Sequence, residues 1–145
     1  MIDPSGKVIA YEFMSNRAWT SIQTRARHTI LWRDSGQIIN PDGLMRVIEA
    51  GVVQGISRAL WEEVKFDTNS VTSVDWLSYP ILDIAEAPEA IDVVLIDRPE
   101  IPPSGAGEPA IRPVAAAIAN AVFDATGVRI RRVPLSPDNV KSALS

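Results

Sequence analysis

The chain has 145 residues, 46% of them hydrophobic and 22% charged, with a net charge of −4 at pH 7. That length and apolar share suit a packed core rather than a disordered chain, and the acidic balance argues against the clustered basic face of a nucleic-acid-binding domain. Without cysteine and with His28 as its one histidine, the chain offers no disulfide, thiolate or iron–sulfur ligands and no histidine zinc site; no metal-ligating set is expected, and no apolar run reaches membrane-spanning length.

Lys7 to Met14 reads as a strand entered through the Pro4-Ser5-Gly6 turn, and residues 15 to 27 show no clean period. His28 to Arg33 is a short β-rich run closed by Asp34-Ser35-Gly36. The strongest element is a helix from about Asp42 to Phe66, started by Asn40 or Pro41. Leu44, Ile48, Val52, Ile56, Leu60 and Val64 recur there every four residues, and Val47 and Ala59 widen the stripe. Gly51 and Gly55 interrupt it, each about 1 kcal/mol less favourable in a helix than Ala. Such a ridge of small residues implies close approach by another backbone or by a ligand. Gln54 lies in the same sector, as a surface amide or a ligand contact.

Val71 to Leu77 and Ala90 to Ile96 are further strands, the second nearly continuous in apolar residues and so central. The segment Ser78 to Pro88 between them is a surface loop. Ala110 to Ala125 is an Ala-rich helix with Ile111, Ala115, Ile118 and Val122 at three- and four-residue steps, capped by Thr126-Gly127. Val128 to Val133 alternates with Arg129, Arg131 and Arg132 like an exposed strand. Ser136-Pro137 opens a last helix through Leu144. The order implies an α+β fold, a mixed sheet with helices packed mainly on one face. A single domain over 1–145 is expected, its first 33 residues a strand and a bridging segment.

The residue types that carry chemistry gather at Pro102 to Ala110. Gly105 and Gly107 tolerate backbone angles closed to other residues, and Pro109 is suited to open a helix. Glu108 then stands at the end of a loop, where a scaffold holds an acid or base at the mouth of a cleft. A carboxylate that merely complements a helix dipole would sit in the same place. Residues 105 to 110 also fit G-x-G-x-x-A, but three prolines between Arg98 and Ser104 are unlike a tight phosphate turn, and a dinucleotide site is rejected. A hydrolase is disfavoured, for no Ser-His-Asp spacing or nucleophile elbow is present.

Three segments, Gly36-Gln37-Ile38-Ile39-Asn40-Pro41, Ile48-Glu49-Ala50-Gly51-Val52-Val53-Gln54-Gly55 and Gly105-Ala106-Gly107-Glu108, follow in an order and separation that resembles a known family. It is the carboxyl-terminal part of molybdenum hydroxylase large subunits, the xanthine dehydrogenase and aldehyde oxidase family, in particular the branch of isoquinoline 1-oxidoreductase. The resemblance runs from about Asp34 to the end and implies a subdomain of the molybdenum-cofactor-binding domain. It implies that Glu108 is the active-site base in oxidative hydroxylation of N-heteroaromatic or aldehyde substrates. It implies too that Gln54 contacts molybdopterin, with Gly55, Gly105, Ala106 and Gly107 as further cofactor contacts. Iron–sulfur clusters would sit on a partner subunit, and further large-subunit regions would complete the site. Asp3 to Phe13 resembles a segment that in the family lies well before Gly36, so the chain reads as a truncated or internally deleted relative, not competent alone. Apolar faces orphaned in this way favour self-association, so a homo-oligomer is expected; the alternative to the fragment reading is a cofactor-free orphan fold.

Overall fold

The computed structural model describes residues 28–144, so the strand expected over Lys7 to Met14 and the segment 15–27 lie outside the described residues. Two strands, β1 (His28–Asp34) and β2 (Ala90–Ile96), pair in parallel with His28 opposite Ala90 and Asp34 opposite Ile96. Helix α1 (Pro41–Leu60) follows β1, helix α2 (Gly107–Thr126) follows β2, and a short helix α3 (Pro137–Leu144) ends the described chain. The fold is α+β. Along β2, Ile91, Val93 and Leu95 face the core and alternate with exposed Ala90, Asp92, Val94 and Ile96. Helix α1 packs against β2, and the period-2 alternation gives the sheet one apolar inner face.

Ile48, Val52 and Ile56 of α1, Val114 and Val122 of α2, and Leu135 and Val140 around α3 form the centre of the core. The expected four-residue stripe of α1 is buried from Ile48 to Leu60, with Leu44 half-buried and Val47, expected to widen it, 49% exposed, and the helix ends at Leu60 rather than at Phe66. A continuing helix would give the Ala59 carbonyl to the amide of Glu63. Instead Leu135 N–H donates to it at 2.7 Å, and the amides of Trp61 and Glu62 both turn back to the Ser57 carbonyl. A distant segment thus takes the last turn's acceptors, and Val64 is left 55% exposed. Asn40 caps the other end, its Oδ1 accepting from Gly43 N–H at 2.9 Å.

Two expected strands are absent. Residues 71–77 form turns: Asp75 Oδ1 accepts from the amides of Leu77 and Ser78, and only an isolated antiparallel bridge joins Phe66 to Val71. Val128 to Val133 is irregular. Two of its basic residues are held by side chains, Arg129 over the Phe123 ring and on Asn120, Arg132 on Glu63 at 3.0 Å. In both stretches side-chain bonds replace a ladder. Gly127 closes α2 as expected, in the left-handed region at φ 73 with its N–H on the Phe123 carbonyl. No helix among the described residues is long and apolar enough to cross a membrane.

The 66–79 turns carry a pH dependence. The amides of Asn69 and Ser70 hold the exposed Asp67 carboxyl below its usual value, and the hydroxyl and amide of Ser78 do the same for Asp75. Groups depressed in the folded state contribute stability above the unfolded value, lost as pH falls through the folded one. Below about pH 4 these turns are expected to loosen before the core, seen as a change in tryptophan fluorescence that Trp76→Phe diminishes while far-ultraviolet circular dichroism holds.

Candidate functional site

Strand β1 ends in Asp34, β2 is followed by Asp97, each passes through a loop into a helix, and the two loops are stitched together. Gly36 N–H donates to Asp34 Oδ1 at 3.1 Å, and Ile38 N–H crosses to Asp97 Oδ1 at 3.1 Å. Gln37 N–H reaches the Ile101 carbonyl at 2.9 Å and Ser104 N–H the Ser35 carbonyl at 2.8 Å. Gly36 sits at φ 76, where a Cβ would lie 2.8 Å from the Ile101 carbonyl oxygen and nearer still to that of Pro102. Only glycine fits both that backbone angle and that approach. The Gly36–Pro41 motif and the Pro102–Glu108 motif, far apart in the chain, therefore share one end of the fold.

The helices that leave this end touch along a seam of small residues. A Cβ on Gly107 would meet Val47 at 2.8 Å, one on Gly51 the Gly107 carbonyl oxygen at 2.6 Å, and one on Gly55 the Val114 side chain at 2.7 Å. The pairs advance together, so α1 and α2 run parallel with their amino termini side by side. Of the two expectations for Gly51 and Gly55, a neighbouring segment occupies the ridge. Gly105 and Gly107 do not use the left-handed region, which among the described glycines holds Gly36 and Gly127. Gly107 serves close packing, while Gly105 has nothing within 4 Å of a would-be Cβ.

Helix α2 begins at Gly107, earlier than expected, because the first helical bond runs from Ala110 N–H to the Ala106 carbonyl at 3.2 Å. Glu108 is thus an exposed residue of the first helical turn rather than the last of the loop. Pro109 is third in the helix and still withholds no needed donor, since the first amides have no intrahelical acceptor. Ala106 precedes the helix and is buried. Gln54 is exposed, three residues past Gly51 and next to Gly55, about one turn along the axis from the Gly107 contact. The amide and the carboxylate therefore stand on adjoining turns of two touching helices. At the loop end of the two helices a cleft of about 250 Å³ is lined by Ser35, Gln37, Asn40, Val47, Ser104 and Ala106 among others, and neither Gln54 nor Glu108 is part of its lining. Among the described residues no three His, Cys, Asp or Glu side chains gather as a metal site. The arrangement offers a carboxylate, an amide and helix amino termini outside the carboxyl ends of parallel strands, the crevice where open α/β folds take ligands. Asp97 and the Ser35–Ser104 link, which shape this end, escape a reading of the sequence; an aspartate at or just after the end of each strand is the available signal.

Residues 20–88 match the family model of a molybdopterin cofactor-binding domain, a stretch that includes Gln54 and stops short of Glu108. One component of the nicotinate dehydrogenase of Pseudomonas putida is 46% identical over 115 residues, which are 79% of this chain and 10% of that protein. The beta component of isoquinoline 1-oxidoreductase from Brevundimonas diminuta is 30% identical over 104 residues, 72% of this chain and 13% of that protein. The crystal structure of quinoline 2-oxidoreductase from Pseudomonas putida 86 superposes with a TM-score of 0.72 at 28% identity, over 79% of this chain and 16% of that one. The chain thus spans about a tenth to a sixth of these relatives. It belongs to the xanthine dehydrogenase and aldehyde oxidase family, as a stretch of the molybdopterin-binding large subunit.

Proposed function

We propose that this chain forms one wall of a molybdenum hydroxylase active site, with Glu108 as the base and Gln54 as a molybdopterin contact. The observation that carries this reading is the Gly51–Gly107 contact, which packs α1 on the first turn of α2 beside Glu108 and leaves Gln54 about one turn further along the same seam, where Gly55 meets Val114. The residues fit the cofactor as a partial cradle. Glu108 and Gln54 are exposed, Gly105 leaves open space, and the two helix amino termini at this end favour an anionic group. When bound, the cofactor supplies the metal-centred oxidation of an N-heteroaromatic or aldehyde substrate. The chain's own part is narrower. Glu108 accepts a proton at its carboxylate, Gln54 donates from its amide nitrogen and accepts at its carbonyl oxygen, and Gly105, Ala106 and Gly107 present backbone without bulk. Other large-subunit regions complete the pocket, and electrons leave through an iron–sulfur partner subunit, so this chain alone is not a competent catalyst.

The test is molybdenum and pterin content of the chain purified from a host that makes molybdopterin. Bound metal and pterin in equal amounts support the reading, and Gln54→Ala then lowers both by about tenfold, the scale of one lost hydrogen-bonding contact of about 1.4 kcal/mol. A folded chain free of molybdenum and pterin would instead favour the cofactor-free orphan fold.

A further inference from the structure

The Gly36–Pro41 motif holds neither the carboxylate nor the amide of the proposed site, yet it grips the loop that leads to the carboxylate. Helix α1 opens on a side-chain cap from Asn40. Helix α2 opens on Ala106, which makes no side-chain cap, and Glu108 lies in the turn that follows. The leading amides of such a turn have no intrahelical acceptor, and an uncapped end frays. The hold on this end comes from the other loop. Ser104, two residues before Ala106, donates its N–H at 2.8 Å and its Oγ at 3.3 Å to the Ser35 carbonyl. Earlier in the loop, Gln37 N–H takes the Ile101 carbonyl at 2.9 Å and Arg98 N–H returns to the Gly36 carbonyl at 3.2 Å. Ser35 and Gly36 are buried, so water competes little for these bonds. The Gly51–Gly107 seam sets the axis of α2; the clasp sets how the chain enters its first turn.

We infer that this clasp stands in for the missing cap, and that Ser104 and Gly36 are positioning residues for Glu108. The inference rests on Glu108 being the base. A reacting group displaced by about 1 Å loses on the order of 10²-fold in rate, so a base on an uncapped turn needs its entry fixed. Every bond of the clasp joins two residues of this chain, and the regions that complete the pocket are not required to form it.

The first measurement is amide hydrogen exchange on the chain itself. Ser104→Pro removes both donors at an exposed site, and it should speed exchange of the Ala110 N–H, the first helical bond of α2, at least tenfold while Val122 is unchanged. Ser104→Ala keeps the N–H and should act weakly. Gly36→Ala forces the Ile101 and Pro102 carbonyls away and should resemble Ser104→Pro; if it does not fold, Ser104→Pro carries the test. The second measurement is turnover in enzyme assembled with the remaining large-subunit and iron–sulfur parts. Ser104→Pro should lower kcat by roughly tenfold or more with KM and molybdenum content unchanged, and should lower it no further in a Glu108→Gln background, because the two changes act through one group. Unchanged Ala110 exchange, or an equal loss of turnover with and without the Glu108 carboxylate, would overturn the inference. Failure of the base assignment looks different: Glu108→Gln alone would keep full turnover, and the inference would fall with its premise.

Discussion

Glu108→Ala is expected to lower hydroxylation turnover by roughly 10²- to 10⁴-fold, the usual contribution of a positioned general base, in enzyme assembled with the remaining large-subunit and iron–sulfur parts. Molybdenum content should stay near that of the unaltered protein, because the proposed cofactor contacts lie in Gln54 and in backbone that the substitution leaves in place. Glu108→Gln keeps size and shape but removes the proton acceptor, so it should be nearly as impaired. The two meanings of this carboxylate separate here. A group that only complements the α2 dipole contributes about 0.3–1 kcal/mol of stability, and its loss would lower the melting temperature slightly while turnover survived. Full activity in Glu108→Gln would therefore end the catalytic assignment and leave the dipole role standing.

Gly51→Val is expected to cost more stability than any surface change in the chain, about 3 kcal/mol or more. Two effects oppose. Replacing a helical glycine favours the helix by somewhat under 1 kcal/mol, but the new Cβ would stand 2.6 Å from the Gly107 carbonyl oxygen and 3.1 Å from the Ala110 Cβ. The first neighbour is backbone and cannot rotate away, so the helices must part. Overpacking of that kind costs about 1–3 kcal/mol, sometimes more, and separation also loosens the Val52, Val114 and Val122 contacts. Against a total of about 5–15 kcal/mol the loss is large. Gly105→Ala is the control: with nothing within 4 Å of the added Cβ, thermal unfolding should shift little. The pair divides the glycines into one that packs and one that leaves space. An equal effect at both sites, read by denaturant unfolding, would contradict the seam.

The elements legible from sequence were those whose signal is local. The stripe Ile48, Val52, Ile56 and Leu60 could be buried only on a helix, and Asn40 beside Pro41 offered the cap that the structure uses. Ala90 to Ile96 was bounded correctly because a nearly unbroken apolar run has few other folds open to it. The misses share a cause. Where α1 stops depends on Leu135 taking the Ala59 carbonyl, a bond between segments that no local pattern encodes. The runs at 71–77 and 128–133 had strand-like composition, but Asp75 and Ser78, and Arg129 with Asn120 and Phe123, bond side chains instead.

For the candidate site, the sequence by itself determined the chemistry on offer: a carboxylate at Glu108, an amide at Gln54, glycines around both, and no thiol or imidazole cluster to compete with them. It also determined that something must approach Gly51 and Gly55 closely. Only the tertiary structure decided what. Helix α2 lies in that groove, parallel to α1, and its first turn includes Glu108. The reason is that a missing side chain specifies space but not its occupant; the occupant follows from the parallel pairing of β1 with β2 and from the bonds that tie Ser35 to Ser104 and Gln37 to Ile101. Those contacts span the length of the chain between the two motifs, and their free energy exists only once both loops are folded against each other.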